Sequence, residues 1–265
     1  MMANKHPISV GTPTLEIKDW FYDSIRFTHS KAHYKKQSFH NGHSEEDVVR
    51  LHFGIKGDYS VVYKQINKSF DLIGGHHNMF YSKEFDMEFF NKTLGIETFG
   101  IQFPKEMFLR FTENANDDLK RFSDKILNGE NVIFSDNWGA IDLSIQQVIQ
   151  QIIQSRYSEG LQQLFLLSKS IELLVLSTEA CLSAKPKSNL FIKNNSDKEK
   201  IIAARDIINN QLQTPPNLSQ ISKMIGLNEY KLKHGFKEIF KTTVFNYLTE
   251  QRLNLALNYL HDTQK

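Results

Sequence analysis

The apolar residues of this chain change their period at Pro104, and that change restricts the possible folds more than any other feature. Upstream, residues 48–53, 59–66, 85–90 and 96–103 are short runs rich in Val, Ile, Phe and Tyr. Turn material such as Gly54-Ile55-Lys56-Gly57-Asp58 and Gly74-Gly75 divides them. In Glu97-Thr98-Phe99-Gly100-Ile101-Gln102-Phe103 the residues Phe99, Ile101 and Phe103 share one face of a strand. Strands this short and closely spaced predict a sandwich or a barrel. Pro104 closes the β-region, and residues 105–128 read as one or two helices.

Further on the period is helical. Ile141, Ile145, Val148, Ile149, Ile152, Ile153 and Tyr157 recur at steps of three and four, with glutamines elsewhere around the wheel. After Ser158-Glu159-Gly160 a second helix is predicted over residues 161–182, so rich in Leu that apolar groups cover more than one stripe. Two helices joined by so short a turn form an antiparallel pair. Their apolar faces cover the β-region, and Leu173, Leu174 and Leu176 are the candidates for contact with a second copy of the chain. Residues 185–195, with Lys185-Pro186-Lys187-Ser188 and Lys193-Asn194-Asn195 around Leu190-Phe191-Ile192, read as a linker.

Composition sets the frame. The 265 residues are 40% hydrophobic and 23% charged with few Gly and Pro, which excludes fibrous and wholly disordered chains. The lone cysteine, Cys181, cannot form an internal disulfide, so a reducing, cytoplasmic compartment is expected. The longest apolar stretches are too short to span a bilayer, and no membrane association is expected. The net charge of +2 hides a division: residues 185–265 carry 13 Lys and Arg against 7 Asp and Glu, while residues 1–184 carry 19 against 23. A basic segment behind an acidic one suits a polyanion-binding module.

The basic segment parses by its punctuation. Ser196-Asp197-Lys198-Glu199 has a capping-box pattern that predicts a helix with Ile201, Ala204, Ile208 and Leu212 inward. Pro215-Pro216 stops it. Asn217 can cap a short helix that buries Leu218, Ile221 and Ile225, and Gly226-Leu227-Asn228 supplies a turn before a third helix at Glu229. On that third helix Leu232, Phe236, Ile239 and Phe240 face inward, while Tyr230, Lys233, His234, Lys237 and Lys241 share an adjoining basic face. A short helix, a Gly-containing turn and a helix with a protruding basic face make a helix-turn-helix, whose second helix enters the major groove of double-stranded DNA. Lysines at successive turns reach guanine edges, and flanking lysines neutralise phosphates.

These residues carry a resemblance. Leu218-Ser219-Gln220-Ile221-Ser222-Lys223-Met224-Ile225-Gly226-Leu227-Asn228, with Tyr230-Lys231-Leu232-Lys233, Phe236-Lys237, Phe240, Tyr247-Leu248 and Arg252-Leu253, resembles the first half of an AraC/XylS-type regulator domain. Lys231-Leu232-Lys233-His234-Gly235-Phe236-Lys237 and Thr242-Thr243-Val244-Phe245-Asn246-Tyr247-Leu248 are similar to its siderophore-responsive, pyochelin-uptake subgroup. The resemblance implies Tyr230, Lys233 and His234 as base-reading positions, Asn228, Lys237 and Lys241 at the DNA backbone, and Gly226 in the turn. His234 stands where Arg is commoner and Ser222 where Ala is usual. The resemblance also implies a cupin-like amino-terminal barrel that senses a small molecule, a ferric siderophore in that subgroup, in a homodimeric, non-enzymatic regulator without a resident cofactor. Family domains hold two helix-turn-helix units joined by a long helix. Here residues 244–261 supply that helix, with Phe245, Leu248, Leu255, Ala256 and Tyr259 inward, behind a single unit; DNA binding is then expected to be weak and salt-sensitive.

The expected architecture is α+β: a β-rich sensing part over residues 1–140, a helical pair over 141–184, a linker over 185–195 and an all-α helix-turn-helix part over 196–265. Two rivals remain on the sequence alone. One is a shortened regulator that pairs with an intact relative without binding DNA itself. The other is a cupin-like metalloprotein, suggested by the eight of ten histidines that lie within the first 77 residues, among them His29, His33, His40, His43, His52, His76 and His77. No His-x-His with a later Glu and His in cupin spacing accompanies them, so no metal site is assigned.

Overall fold

A computed structural model describes residues 14–184, 191, 192, 194–240 and 242–262. The chain divides into two compact units, Met1–Ala184 and Lys185–Lys265. The first is sheet-rich with helices after the strands, and the second is helical.

In the first unit β1 (Thr14–Tyr22), β2 (Ile25–His33), β4 (Val48–Lys56), β7 (His76–Ser82) and β9 (Gly95–Pro104) form an antiparallel sheet in the order β1-β2-β9-β4-β7, with the short β10 (Val132–Ile133) and β11 (Gly139–Ala140) on β7. A second antiparallel sheet runs β3-β8-β5-β6, from β3 (Phe39–Ser44), β8 (Phe85–Asn91), β5 (Tyr59–Tyr63) and β6 (Lys68–Leu72). The strands therefore make two sheets, one of the two arrangements that their spacing predicts, rather than the closed barrel that the resemblance implies. The chain switches sheets at corners: β4 breaks register between Gly54 and Lys56, Gly57 takes φ 90°, and the next strand pairs in the other sheet.

Alternation gives the larger sheet two unlike faces. Ile25, Phe27, Val49, Leu51, Phe53, Phe99, Ile101 and Phe103 join one core with α1 (Lys105–Thr112), α2 (Asp117–Leu127), α3 (Leu143–Ile153) and α4 (Glu159–Leu182). The alternate residues face the smaller sheet, whose Tyr59, Val61, Tyr63 and Leu72 form a second core. The period change falls where β9 ends at Pro104 and α1 begins. Asn116 and Asp142 cap α2 and α3 by accepting the amides of Leu119 and Ile145.

The Leu-rich helix α4 corrects one expectation. Leu173 and Leu174 are buried in the unit's own core and so present no free face to a second copy, and Leu176 is half-buried against that core. The exposed apolar side of α4 carries Leu161, Leu164, Ile171, Val175 and Leu182 instead. The sequence misled because a helix apolar on two sides does not say which side a sheet will take.

The second unit comprises α5 (Asn195–Asn210), α6 (Leu218–Ile225), α7 (Glu229–Phe240) and α8 (Val244–Asp262). Ile201, Ala204, Ile208, Ile221, Ile225, Leu232, Phe236, Ile239 and Phe240 are buried, as their spacing predicts. The cap of α5 differs: Asn194, not Ser196, accepts the Asp197 amide. On α8 Tyr247 is buried beside Phe236 and Phe240 and Leu248 and Leu255 are half-buried, whereas Phe245 and Ala256 are exposed; Tyr259 lies outside the residues whose side chains are described. Arg252 ties α8 back to the end of α5 by donating to the carbonyls of Leu212 and Gln213 at 2.7 and 2.8 Å. Among the described residues no helix is long and apolar enough to cross a membrane.

Candidate functional site

Two features, one in each unit, have the character of sites. The first lies between the two sheets. In register across β2, β9 and β4 stand Arg26, Gln102 and Arg50, then Thr28, Gly100 and His52, with Ser30 opposite Thr98. These polar residues and the aromatic wall of Tyr59, Tyr63, Phe85 and Phe89 line a cavity of about 570 Å³. The polar lining is internally paired. Arg26 donates to both carboxylate oxygens of Asp19, Thr28 donates to the same carboxylate at 2.7 Å, and Ser30 bonds Thr98 at 2.7 Å. Arg50 is buried and donates to the Ser44 hydroxyl and to the carbonyls of Glu46, Val48 and Ser82, with its guanidinium 4.9 Å from the centre of the Phe85 ring. Burial lowers its pKa from the usual arginine value.

His52 projects into this space with Nε2 2.5 Å from the Tyr59 hydroxyl. Burial pushes its imidazole down to about 4 and the Tyr59 phenol up, so near neutrality both are uncharged. A space of this size, walled by aromatics and bordered by a few fixed polar groups, has the build of a small-molecule site. The sequence did hold a signal: in Val48-Val49-Arg50-Leu51-His52-Phe53 the polar residues alternate inside an apolar run, which marks the inner face of a strand.

Several other histidines are dispersed among separate partners. His29 bonds Glu97, His40 bonds Ser38 and Asn91, His43 bonds Asp86 and Glu45, and His77 lies beside Cys181. Among the described residues no group of three or more His, Cys, Asp or Glu is placed to hold a metal ion.

The second feature is the exposed side of α7. Asn217 caps α6 with a full capping box, accepting the Gln220 amide while the Gln220 side chain accepts its own. Gly226 ends the helix in the left-handed region, at φ 64° and ψ 40°, where a Cβ would be strained. Asn228 Oδ1 accepts the Lys231 amide, so its first role is to start α7. Tyr230, Lys233, His234 and Lys237 then stand exposed on one side of the helix, while Leu232, Phe236 and Ile239 are buried on the other. Lys233 lies 4.0 Å from Glu229, and Lys231 turns away to pair with Asp197 of α5, which holds that carboxyl below its usual pKa. Lys233, His234 and Lys237 also border a largely apolar groove of about 550 Å³ with Pro216, Val244 and Phe245, from the starts of α6 and α8. Lys241 lies outside the described residues.

Residues 21–190 match the family described as the Regulatory protein PchR N-terminal domain. The chain is 34% identical over 122 residues to the regulatory protein PchR of Pseudomonas aeruginosa, an alignment that takes in 46% of this chain and 41% of that protein, so the matched part spans less than half of the relative's length. Among solved structures, the AraC-like transcriptional activator CuxR aligns over 92% of this chain and 81% of its own, at 11% identity and a TM-score of 0.38. ToxT of Vibrio cholerae aligns over 85% and 97%, at 11% identity and a TM-score of 0.41. With well over half of its residues matched, the chain belongs to the PchR N-terminal domain family.

Proposed function

We propose that the protein is a transcription regulator: residues 1–140 bind a small-molecule effector between the two sheets, residues 141–184 pair two copies, residues 185–195 link, and residues 196–265 read DNA. The observation that carries the reading is the exposed Tyr230, Lys233, His234 and Lys237 side of α7, set by the Gly226 turn against a buried Leu232, Phe236 and Ile239 side. A cationic helix side that follows a short helix and a tight turn suits insertion into the major groove. The starts of α6 and α8, which border one groove with Lys237, suit contact with the phosphate backbone. Membership of a family named for a regulatory protein agrees with a regulatory rather than a catalytic role. The effector class that the subgroup suggests is a ferric siderophore, taken up in the inter-sheet cavity.

The test is DNA selection from a random duplex pool with the full chain. Enrichment of one sequence is expected. Lys233→Ala combined with His234→Ala should lower affinity for it by tenfold or more, since each good side-chain-to-base pair contributes about 1–3 kcal/mol of discrimination. Lys237→Ala should weaken all duplexes alike and reduce the slope of log affinity against log salt by about 1. A double variant that keeps wild-type preference removes α7 from the reading role.

Self-association is assigned to the outer side of α4. Leu164→Glu with Val175→Glu places two charges on exposed positions that contribute nothing to the unit's own core. Sedimentation should then show a dimer for the wild type and a monomer for the variant, at unchanged melting temperature. A monomeric wild type, or a variant that still dimerises, overturns the assignment.

A further inference from the structure

One side chain outside the helix-turn-helix pattern contacts the reading side of α7. Phe191 and Ile192, which the sequence places in the linker, are clasped to this helix by the Glu238 carboxylate. Its two oxygens accept the Phe191 amide at 2.6 Å and the Ile192 amide at 2.9 Å. Ile192 is buried and packs over Gly235, where a Cβ would come within 2.9 Å of Ile192 Cγ1. Gly235 is therefore what allows the segment to close on the helix.

Anchored there, Phe191 meets both aromatic members of the reading set. Its ring centre lies 5.8 Å from Tyr230 and 5.5 Å from His234, and those two rings lie 4.3 Å apart. Tyr230 remains 62% exposed within this cluster and Phe191 44% exposed, so the cluster is no part of the hydrophobic core. An exposed Tyr and His on a helix otherwise exchange rotamers freely, and ordering them on binding costs affinity. A third ring, fixed by two backbone hydrogen bonds, restricts both before DNA arrives.

We propose that Phe191, pinned by Glu238, is a positioning residue for DNA reading: it holds the Tyr230 and His234 rings in one arrangement and so sharpens sequence discrimination. The proposal rests on the reading of α7 as the DNA-contacting helix. Phe191 carries no charge, so its contribution belongs to specificity and not to the salt-dependent phosphate attraction.

The experiment uses the full chain, the duplex it enriches from a random pool, and a scrambled duplex of the same composition. Phe191→Ala is expected to lower the specific-to-scrambled affinity ratio by about five- to tenfold, the scale of losing order in two side chains, at an unchanged salt slope. Phe191→Tyr, which keeps the ring, should restore the ratio. In a Tyr230→Ala/His234→Ala background Phe191→Ala should cost nothing further, because the rings it holds are gone. Amide exchange supplies a readout independent of DNA: the Phe191 and Ile192 amides should be protected in the wild type and exchange faster in Glu238→Ala. A Phe191→Ala ratio equal to wild type, a full additional loss in the double-variant background, or exchange unaltered by Glu238→Ala overturns the proposal. If the wild-type chain enriches no sequence, the DNA-reading assignment of α7 itself falls and takes this proposal with it.

Discussion

Acidification from pH 6.5 to 4.5 is expected to strip about 2 kcal/mol from the stability of the first unit, through His77. This imidazole is fully buried on β7, with its ring 5.4 Å from that of Phe53 and Nδ1 3.9 Å from the Cys181 sulfur. A Cβ added at Gly139 would fall 2.5 Å from its Nε2, so Gly139 packs directly against the imidazole. Burial first, and the neighbouring His76 second, push its pKa down to about 3, against about 6.5 in an unfolded chain. Between those two values the unfolded chain holds a proton that the folded unit refuses. Stability therefore rises with pH across this window and is lost as pH falls from about 6.5 towards 3. His52, lowered to about 4, acts in the same direction, and its contribution is smaller because it borders the cavity. Against the 5–15 kcal/mol of a typical domain the loss is large. Both tryptophans, Trp20 and Trp138, belong to this unit, so their fluorescence during urea unfolding isolates it. A His77→Leu variant should show a stability curve flatter by about 2 kcal/mol over the same range; equal pH dependence in the two proteins removes His77 as the cause.

Residues with one possible role were legible in the sequence, and residues whose role depends on a partner element were not. Asn217, Gly226 and Asn228 act within four residues of themselves, and caps and turns are local devices, so their positions in the structure are those the sequence indicated. Leu232, Phe236 and Ile239 have one candidate core, and the helical period placed them. By contrast Leu173 and Val175 are both apolar residues on an apolar helix, and only the neighbouring sheet and α3 decide that the first is buried and the second exposed. Phe245 failed for a similar reason: Tyr247 takes the space between Phe236 and Phe240, and the helix phase that buries Tyr247 turns Phe245 outward. The strands before residue 48 were harder still. In β3, Phe39-His40-Asn41-Gly42-His43-Ser44 contains one large apolar residue, itself exposed, and the strand owes its existence to ladder bonds with β8. The cavity was legible only in part: Arg50 and His52 alternating inside an apolar run mark an inner strand face, but the polar residues that complete the lining lie on strands distant in sequence, where each taken alone reads as an ordinary surface side chain.

Phe236→Ala is expected to unfold most of the second unit while leaving the first intact. Phe236 has no exposed surface; its ring centre is 4.6 Å from Phe240 of the same helix and 5.5 Å from Tyr247 of α8. Arg205 of α5 lies over the Phe240 ring at 5.3 Å, so three helices meet around this aromatic group. Truncating a buried Phe to Ala costs about 3–5 kcal/mol, from lost transfer energy and from the cavity left behind. A unit of this size has a total stability of only about 4–12 kcal/mol at the usual per-residue value. The variant is therefore expected to leave α7 and α8 loosely packed at 37 °C, with the Tyr230, Lys233 and His234 set no longer presented on one side. The two cores of the first unit contain no residue of the second, and its thermal transition should stay within a few degrees of wild type. Phe236→Leu, which keeps most of the volume, should cost less than half as much and retain helical circular dichroism. A Phe236→Ala protein whose second transition survives within about 1 kcal/mol of wild type would mean that α8 is not packed on α7 through this cluster. The DNA-binding consequence separates from the stability consequence at low temperature. At 5–10 °C, where a weakened unit is refolded by added duplex, Phe236→Ala should bind the enriched sequence with wild-type preference but reduced affinity, whereas Lys233→Ala with His234→Ala should fold normally and lose the preference.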